Sequence, residues 1–327
     1  MTDPSSGDPA TGRPASSATG AAGPLPNFFI IGAAKSGTTS LYAYLRQHPD
    51  VCMPSVKEPR YFAYLDDPPR MVGPGDRESN EAAGVVYDAA AYRSLFEPCA
   101  GASAVGEASV NYLYSRTAPG RIAESVPEAR LIAILRNPVD RAYSHYLHLV
   151  RSGREPIRDF AQALAAEPER RRQGWEWSWH YTKMGFYHEQ LTRYLQYFDP
   201  DQLSVYLFDD FKSDPQSVAT DLFQTLGVED SFSPDAVGKH RQTGTPRLEW
   251  FQRFLLNPDH PLRRASRSLV PERVRERLLT MLKNANLSKP EMSPAVRAEL
   301  TTLYTDEIHR LEDLLDRDLS HWLRDAS

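Results

Sequence analysis

The stretch Phe28–Tyr42, FFIIGAAKSGTTSLY, constrains the fold of this chain more than any other. Phe28–Ile31 is a short, continuous apolar run that ends at Gly32, the pattern of a buried strand. Thr39–Gln47 then places Leu41, Tyr44 and Leu45 at helical spacing and stops before His48-Pro49, where a helix is expected to end. Strand, glycine loop, helix is the arrangement in which successive backbone N–H groups and a helix N-terminus cradle a phosphate. Gly32 and Gly37 have the separation of the nucleoside-triphosphate loop G-x-x-x-x-G-K-[ST]. Lys35, however, stands two residues before Gly37, and Thr38 fills the usual lysine position. The loop is expected to hold a phosphate through the charge of Lys35, the hydroxyls of Ser36, Thr38 and Thr39, and the tight path allowed by Gly37.

The same pattern recurs along the chain. Arg130–Leu135 reads as a second buried strand, broken by Arg136-Asn137-Pro138 and followed by a helix over 139–150. Residues 185–198 carry one apolar helical stripe, 203–208 a third strand, and Pro215–Leu226 a helix. Val51–Met53 and Ala104–Glu107 read as brief strands, Tyr92–Phe96 as helical, 57–64 as a loop and 68–84 as a surface excursion. Residues 294–323 read as a packing helix that carries Trp322 near its end. Alternating strands and helices predict an α/β, P-loop-like three-layer fold with a central parallel sheet flanked by helices. A single domain over 27–327 is expected after a leader, 1–26, made almost wholly of Pro, Ala, Gly, Ser and Thr; it reads as disordered because it offers little apolar surface to bury.

Charge and cysteine content narrow the setting. A net charge of −5 gives no general basic field, so nucleic acid is not an expected partner. No apolar run approaches the ~18–20 residues of a membrane span. Two cysteines, Cys52 and Cys99, are too few for a disulfide framework; reduced thiols and a cytoplasmic location are the expectation, one disulfide the alternative. Residues 239–289 hold an excess of eight positive charges, either solvated helix faces or a basic flap beside an anionic ligand.

A magnesium-dependent kinase needs an acid at the end of a strand beside the loop. The second strand ends instead in Arg136. Asp209-Asp210 follow the third, which keeps a Mg-ATP kinase as a second reading and a non-catalytic nucleotide-binding module as a third. The residues themselves point to a nucleotide handled by cations and hydroxyls, without metal.

Residues 24–51, PLPNFFIIGAAKSGTTSLYAYLRQHPDV, resemble the 5′-phosphosulfate loop of sulfotransferases that use 3′-phosphoadenosine 5′-phosphosulfate (PAPS), and residues 131–146, LIAILRNPVDRAYSHY, resemble their 3′-phosphate motif. The order and separation are those of the carbohydrate-type branch. The resemblance implies that Lys35 meets the 5′-phosphate and bridging oxygen, that Ser36, Gly37, Thr38 and Thr39 cradle the 5′-phosphate, and that Arg136 and Ser144 bind the 3′-phosphate. It implies PAPS as co-substrate, no metal, and a small-molecule or glycan hydroxyl as acceptor, with oligomeric state left open. KEPRYF, residues 57–62, resembles the family loop whose glutamate is the base; the role falls on Glu58, with His145 and His148 as rivals and an ion pair with Lys57 or Arg60 as the structural alternative. Heparan-type relatives often have a lysine where Ala108 stands, which puts a sulfated polysaccharide acceptor in doubt. Glu107 is expected either to line the site or to close a strand. HRQTGTPR, residues 240–247, resembles a loop closing over the nucleotide, with Arg247 as its contact. Trp175, Trp177 and Trp179 are read as acceptor stacking groups or as a loop anchor.

Overall fold

The computed structural model describes residues 23–65, 68–235, 245–246, 287–288 and 291–324. Along the chain lie β1 (Phe28–Gly32), α1 (Thr38–Leu45), β2 (Val51–Cys52), α2 (Tyr61–Tyr64), α3 (Asp76–Ala83), α4 (Ala89–Ser94), β3 (Ala104–Ala108), α5 (Ala118–Ser125), β4 (Arg130–Leu135) and α6 (Pro138–Arg151). After them come α7 (Phe160–Arg172), α8 (Tyr187–Tyr194), β5 (Leu203–Leu207), α9 (Phe208–Ser213), α10 (Pro215–Leu226), the short strands β6 (Thr245–Pro246) and β7 (Leu287–Ser288), and α11 (Pro294–Leu315).

The main sheet is parallel throughout, in the order β2-β3-β1-β4-β5. The chain leaves β1 toward the β3 side and returns across it to β4. The C-terminal end of β1 is therefore a topological switch point, where open α/β sheets bind ligands. Alternation within β1 shows why its run is continuously apolar. Phe29 and Ile31 join a core built with α5, α6, α8 and α11, while Phe28 and Ile30 join a second core with α1 and α10. Every residue of β1 is buried. Helices on both faces make the three layers that the sequence predicts.

Differences from the sequence reading lie at the polar or short elements. The 68–84 excursion contains a helix, Asp76–Ala83, bounded by Gly75 and Gly84 in left-handed conformation and with Asp76 and Glu78 in its first turn. Residues 57–64 end in the single turn Tyr61–Tyr64. The third strand closes at Leu207, and Phe208 opens α9. The last helix stops at Leu315, with Asp316 in left-handed conformation, before the 3₁₀ turn Ser320–Trp322. Within the 1–26 leader, Leu25 packs against the core. Cys52 and Cys99 form a disulfide, which corrects the expectation of reduced thiols: it ties β2 to the turn before β3 across 47 residues of sequence. No helix among the described residues is long and apolar enough to cross a membrane.

Candidate active site

The loop after β1 follows from two glycines. A side chain on Gly32 would come within 2.7 Å of Leu113 Cβ, so the strand closes against Leu113 only if this residue has none. Gly37, at φ 95°, is the N-cap of α1 and turns the chain into the helix in a conformation other residues adopt at a cost. No side chain caps α1, and its first-turn N–H groups lack intrahelical acceptors, as at any helix start. Thr38 and Thr39 lie in that turn, Thr38 buried. Ser36 is fully buried, with its hydroxyl beside that of Tyr187. The Tyr187 hydroxyl donates to the Arg136 carbonyl at 3.0 Å. Uncapped helix N–H groups beside a buried hydroxyl fit an anionic oxygen.

Arg136, the first residue past β4, is brought to this loop. Its guanidinium donates to the Lys35 carbonyl at 3.3 Å and lies 5.0 Å from the centre of the Phe208 ring. Burial draws its pKa downward, opposed by Asp140, Tyr187 and Asp209. Ser144 is buried on α6, the helix that starts two residues after Arg136. Asn137 caps α6, accepting from Val139 and Asp140, and its amide donates to the Trp322 carbonyl at 3.1 Å, which docks the C-terminal segment on the same corner. Arg247 lies outside the described residues, as do 240–244; β6 runs against α6 and pairs with β7.

Asp209 and Asp210 are turned to other work. Asp209 accepts from Trp322 Nε1 at 3.3 Å and lies 3.6 Å from His321 Nε2, while Asp210 pairs with Arg317 at 2.8 Å. Both acids are engaged by the C-terminal segment.

Glu58 sits at the edge of β3. Its N–H donates to the Ala108 carbonyl at 2.9 Å, and its Oε2 accepts from Val110 N–H at 3.0 Å. Lys57 Nζ is 2.6 Å from Oε1 and Arg60 Nε 3.8 Å from Oε2. Burial pushes this carboxyl up, but Lys57, Arg60 and the Val110 hydrogen bond outweigh it and hold it below its ordinary value. The group is thus an ionised, oriented carboxylate within an ion-pair cluster that is largely buried. Val110 packs with Ala34 of the loop, so the glutamate and the phosphate loop share one wall. Lys35, Glu58 and Arg60 all have positive φ, 68°, 71° and 56°. Such backbone strain collects where geometry serves a site. His145 is buried on α6, and burial, then Arg141, His148 and Lys35, push its pKa well down.

The three tryptophans separate. Trp179 is fully buried, donates to Asp76 at 2.9 Å, is flanked by the guanidinium groups of Arg154 and Arg170, and meets Trp175 edge-on. These two are anchors. Trp177 alone packs against Ala34 and Val110. The 3₁₀ turn Trp177–Trp179 separates Trp177 from the other two.

Glu107 is fully buried beneath this wall and accepts from the Tyr92 and Tyr112 hydroxyls at 2.7 and 2.9 Å. Tyr112 follows five residues later and Tyr92 lies fifteen earlier on α4, so only the fold brings both to one carboxyl. Burial pushes its carboxyl up to about 7; the Ser109, Tyr92 and Tyr112 hydroxyls oppose this, and the charge of Glu58 adds to it. Between its ordinary value and about 7 the folded chain binds more proton here than the unfolded chain. This contribution to stability is therefore intact at acid pH and is lost as pH rises through 7. Unfolding by urea at pH 5.5 and 8 should show the stability gap between wild type and Glu107→Gln moving in the variant's favour by about 2 kcal/mol. A gap that does not change with pH would exclude the raised pKa.

Comparison with known proteins agrees with this geometry. The profile of the sulfotransferase family matches residues 26–233. Bifunctional heparan sulfate N-deacetylase/N-sulfotransferase 3 of Homo sapiens is 32% identical over 209 residues, 62% of this chain and 22% of that protein. Carbohydrate sulfotransferase 15 of Mus musculus is 33% identical over 164 residues, 40% of this chain and 28% of that protein. The chain thus spans less than a third of the length of these curated relatives. The crystal structure of a sulfotransferase from Alicyclobacillus acidocaldarius superimposes with a TM-score of 0.73 at 38% identity, covering 92% of this chain and all of that one. With the profile matching well over half of its length, the chain belongs to the sulfotransferase family.

Proposed function

We propose that the chain transfers a sulfuryl group from PAPS to a hydroxyl of a carbohydrate, glycolipid or secondary-metabolite acceptor. The observation that carries the donor assignment is Arg136: a second cation, at the end of the strand beside β1, reaches the carbonyl of Lys35 in the phosphate loop. A nucleotide with phosphate at both 5′ and 3′ positions uses both. Lys35, Ser36, Gly37, Thr38 and Thr39 take the 5′ end, Arg136 and Ser144 the 3′-phosphate, with Arg247 as a further contact. Engagement of Asp209 and Asp210 by Trp322 and Arg317 weighs against a magnesium-ATP site.

The reaction needs little else. Glu58 takes the proton of the acceptor hydroxyl as its oxygen attacks sulfur; an O–S bond forms and the S–O bond to the 5′-phosphate breaks. The electron pair leaves on the phosphate oxygen, whose developing charge Lys35 and the α1 N–H groups stabilise. The proton ends on Glu58, and adenosine 3′,5′-bisphosphate departs.

Calorimetry tests the donor. Adenosine 3′,5′-bisphosphate should bind at least about tenfold more tightly than ADP, and Arg136→Ala should erase that preference, since a hydrogen-bonded charge is worth about 1.5–3 kcal/mol. Equal affinity for ADP, or tighter binding of ATP with magnesium, would favour the kinase reading.

A further inference from the structure

Arg136 carries the 3′-phosphate assignment, and among the described residues its guanidinium pairs with no carboxylate: it donates to the Lys35 carbonyl and faces the Phe208 ring. Two acids nonetheless stand on the elements that touch it. Asp140 is in the first turn of α6, the helix that opens just past Arg136. Asp209 follows Phe208, whose ring meets the guanidinium. The charges of both bear on Arg136, that of Asp140 the more strongly.

Both carboxylates are taken by the C-terminal segment. Arg297, in the first turn of α11, donates to Asp140 Oδ1 at 2.7 Å in a partly exposed pair. Trp322 Nε1 donates to Asp209 Oδ2 at 3.3 Å, and His321 Nε2 lies 3.6 Å from the same oxygen. Asn137, the neighbour of Arg136, donates to the Trp322 carbonyl. The buried Trp322 ring meets Tyr187 edge-on, and the Tyr187 hydroxyl donates to the Arg136 carbonyl. The segment is anchored independently of these contacts. Tyr304 of α11 donates to the Thr182 carbonyl at 2.7 Å, and Glu307 accepts from the Glu189 N–H at 3.2 Å.

A carboxylate and a phosphate compete for one guanidinium, because both offer oxygens to its planar fork. An Asp140 or Asp209 without a partner would close on Arg136 or repel the incoming dianion. Arg297 cancels the charge of Asp140 at its source. The Trp322 indole, being neutral, leaves the charge of Asp209 but fixes the direction of its oxygen. Both effects act at Arg136, so they favour the second phosphate over a nucleotide phosphorylated only at its 5′ end.

We propose that the segment from α11 to Trp322 is a positioning element for the 3′-phosphate: Arg297 and Trp322 hold Asp140 and Asp209 in pairs of their own, so that Arg136 meets the nucleotide without a competing carboxylate. This rests on the donor assignment above. The test is calorimetry on the full chain with adenosine 3′,5′-bisphosphate and ADP, at low ionic strength, where screening is weakest. Arg297→Met keeps the aliphatic stem and removes the charge. It should lower the preference for the bisphosphate over ADP about three- to fivefold, the scale of a partly exposed charge pair. Adding Asp140→Asn should bring the preference back to within about twofold of wild type, because the freed acid does the harm. Trp322→Phe, which keeps a ring against Tyr187, should lower the preference in the same direction, and adding Asp209→Asn should restore it. A merely structural role would weaken both nucleotides alike and would not be rescued by neutralising an acid. An unchanged preference in either single variant, or a double variant as weak as its parent, would overturn the proposal while sparing the donor assignment. Wild type with no preference for the bisphosphate would sink both.

Discussion

Glu58→Gln should lower kcat for sulfuryl transfer about 100- to 10,000-fold, the range for loss of a general base, while affinity for adenosine 3′,5′-bisphosphate stays within about threefold. The expectation rests on how the residue is held. Val110 N–H and Ala108 O fix its position, and Lys57 beside Oε1 keeps it ionised despite burial. Glutamine preserves the shape and can still accept from Val110, so the loss isolates the proton. Single-turnover measurements with saturating PAPS check it. Retained kcat would mean that the proton leaves by another route, with His145 the first to examine.

Breaking the Cys52–Cys99 disulfide should cost about 2–4 kcal/mol of folding free energy, from the loop-closure entropy of a 47-residue separation. The bond joins β2, an edge strand of only two residues, to the turn ahead of β3. Two residues make few ladder hydrogen bonds, so the cross-link supplies much of what keeps this edge in place. Glu58 follows six residues after Cys52. Urea denaturation of wild type with and without dithiothreitol, beside Cys52→Ser/Cys99→Ser, measures the effect. Wild type should lose stability on reduction and the double variant should not respond. Coincident curves for oxidised and reduced wild type would show that the edge holds by packing alone.

What could be read along the chain, and what could not, follows from physical range. β1, β4 and α6 were legible because each is an apolar run or stripe bounded by glycine or proline, and burial on both faces leaves no alternative pattern. Lys35, Ser36 and Arg136 could be named as candidates because they stand at strand ends, and the structure brings Arg136 to the Lys35 carbonyl. α3 was hidden by polarity, although Gly75 and Gly84 marked its ends. The disulfide was hidden because two cysteines in sequence say nothing of their distance in space. Glu107 with Tyr92 and Tyr112, and Arg60 with Asn80 and Trp177, are assembled from separate segments, and no periodicity announces such meetings.

The sheet order sets the two groups of candidate residues on different strands. Lys35 and Arg136 follow β1 and β4, neighbours at the centre, while Glu58, Arg60 and Tyr64 belong to the segment after β2, at the margin. The centre is the more constrained, because alternate residues of its strands pack into two different cores. The margin is held by one covalent tie, a polar lattice and the packing of Phe62 against Phe29 of β1. A substitution at the margin reaches the centre through that ring contact as well as through the pairing of β2 with β3.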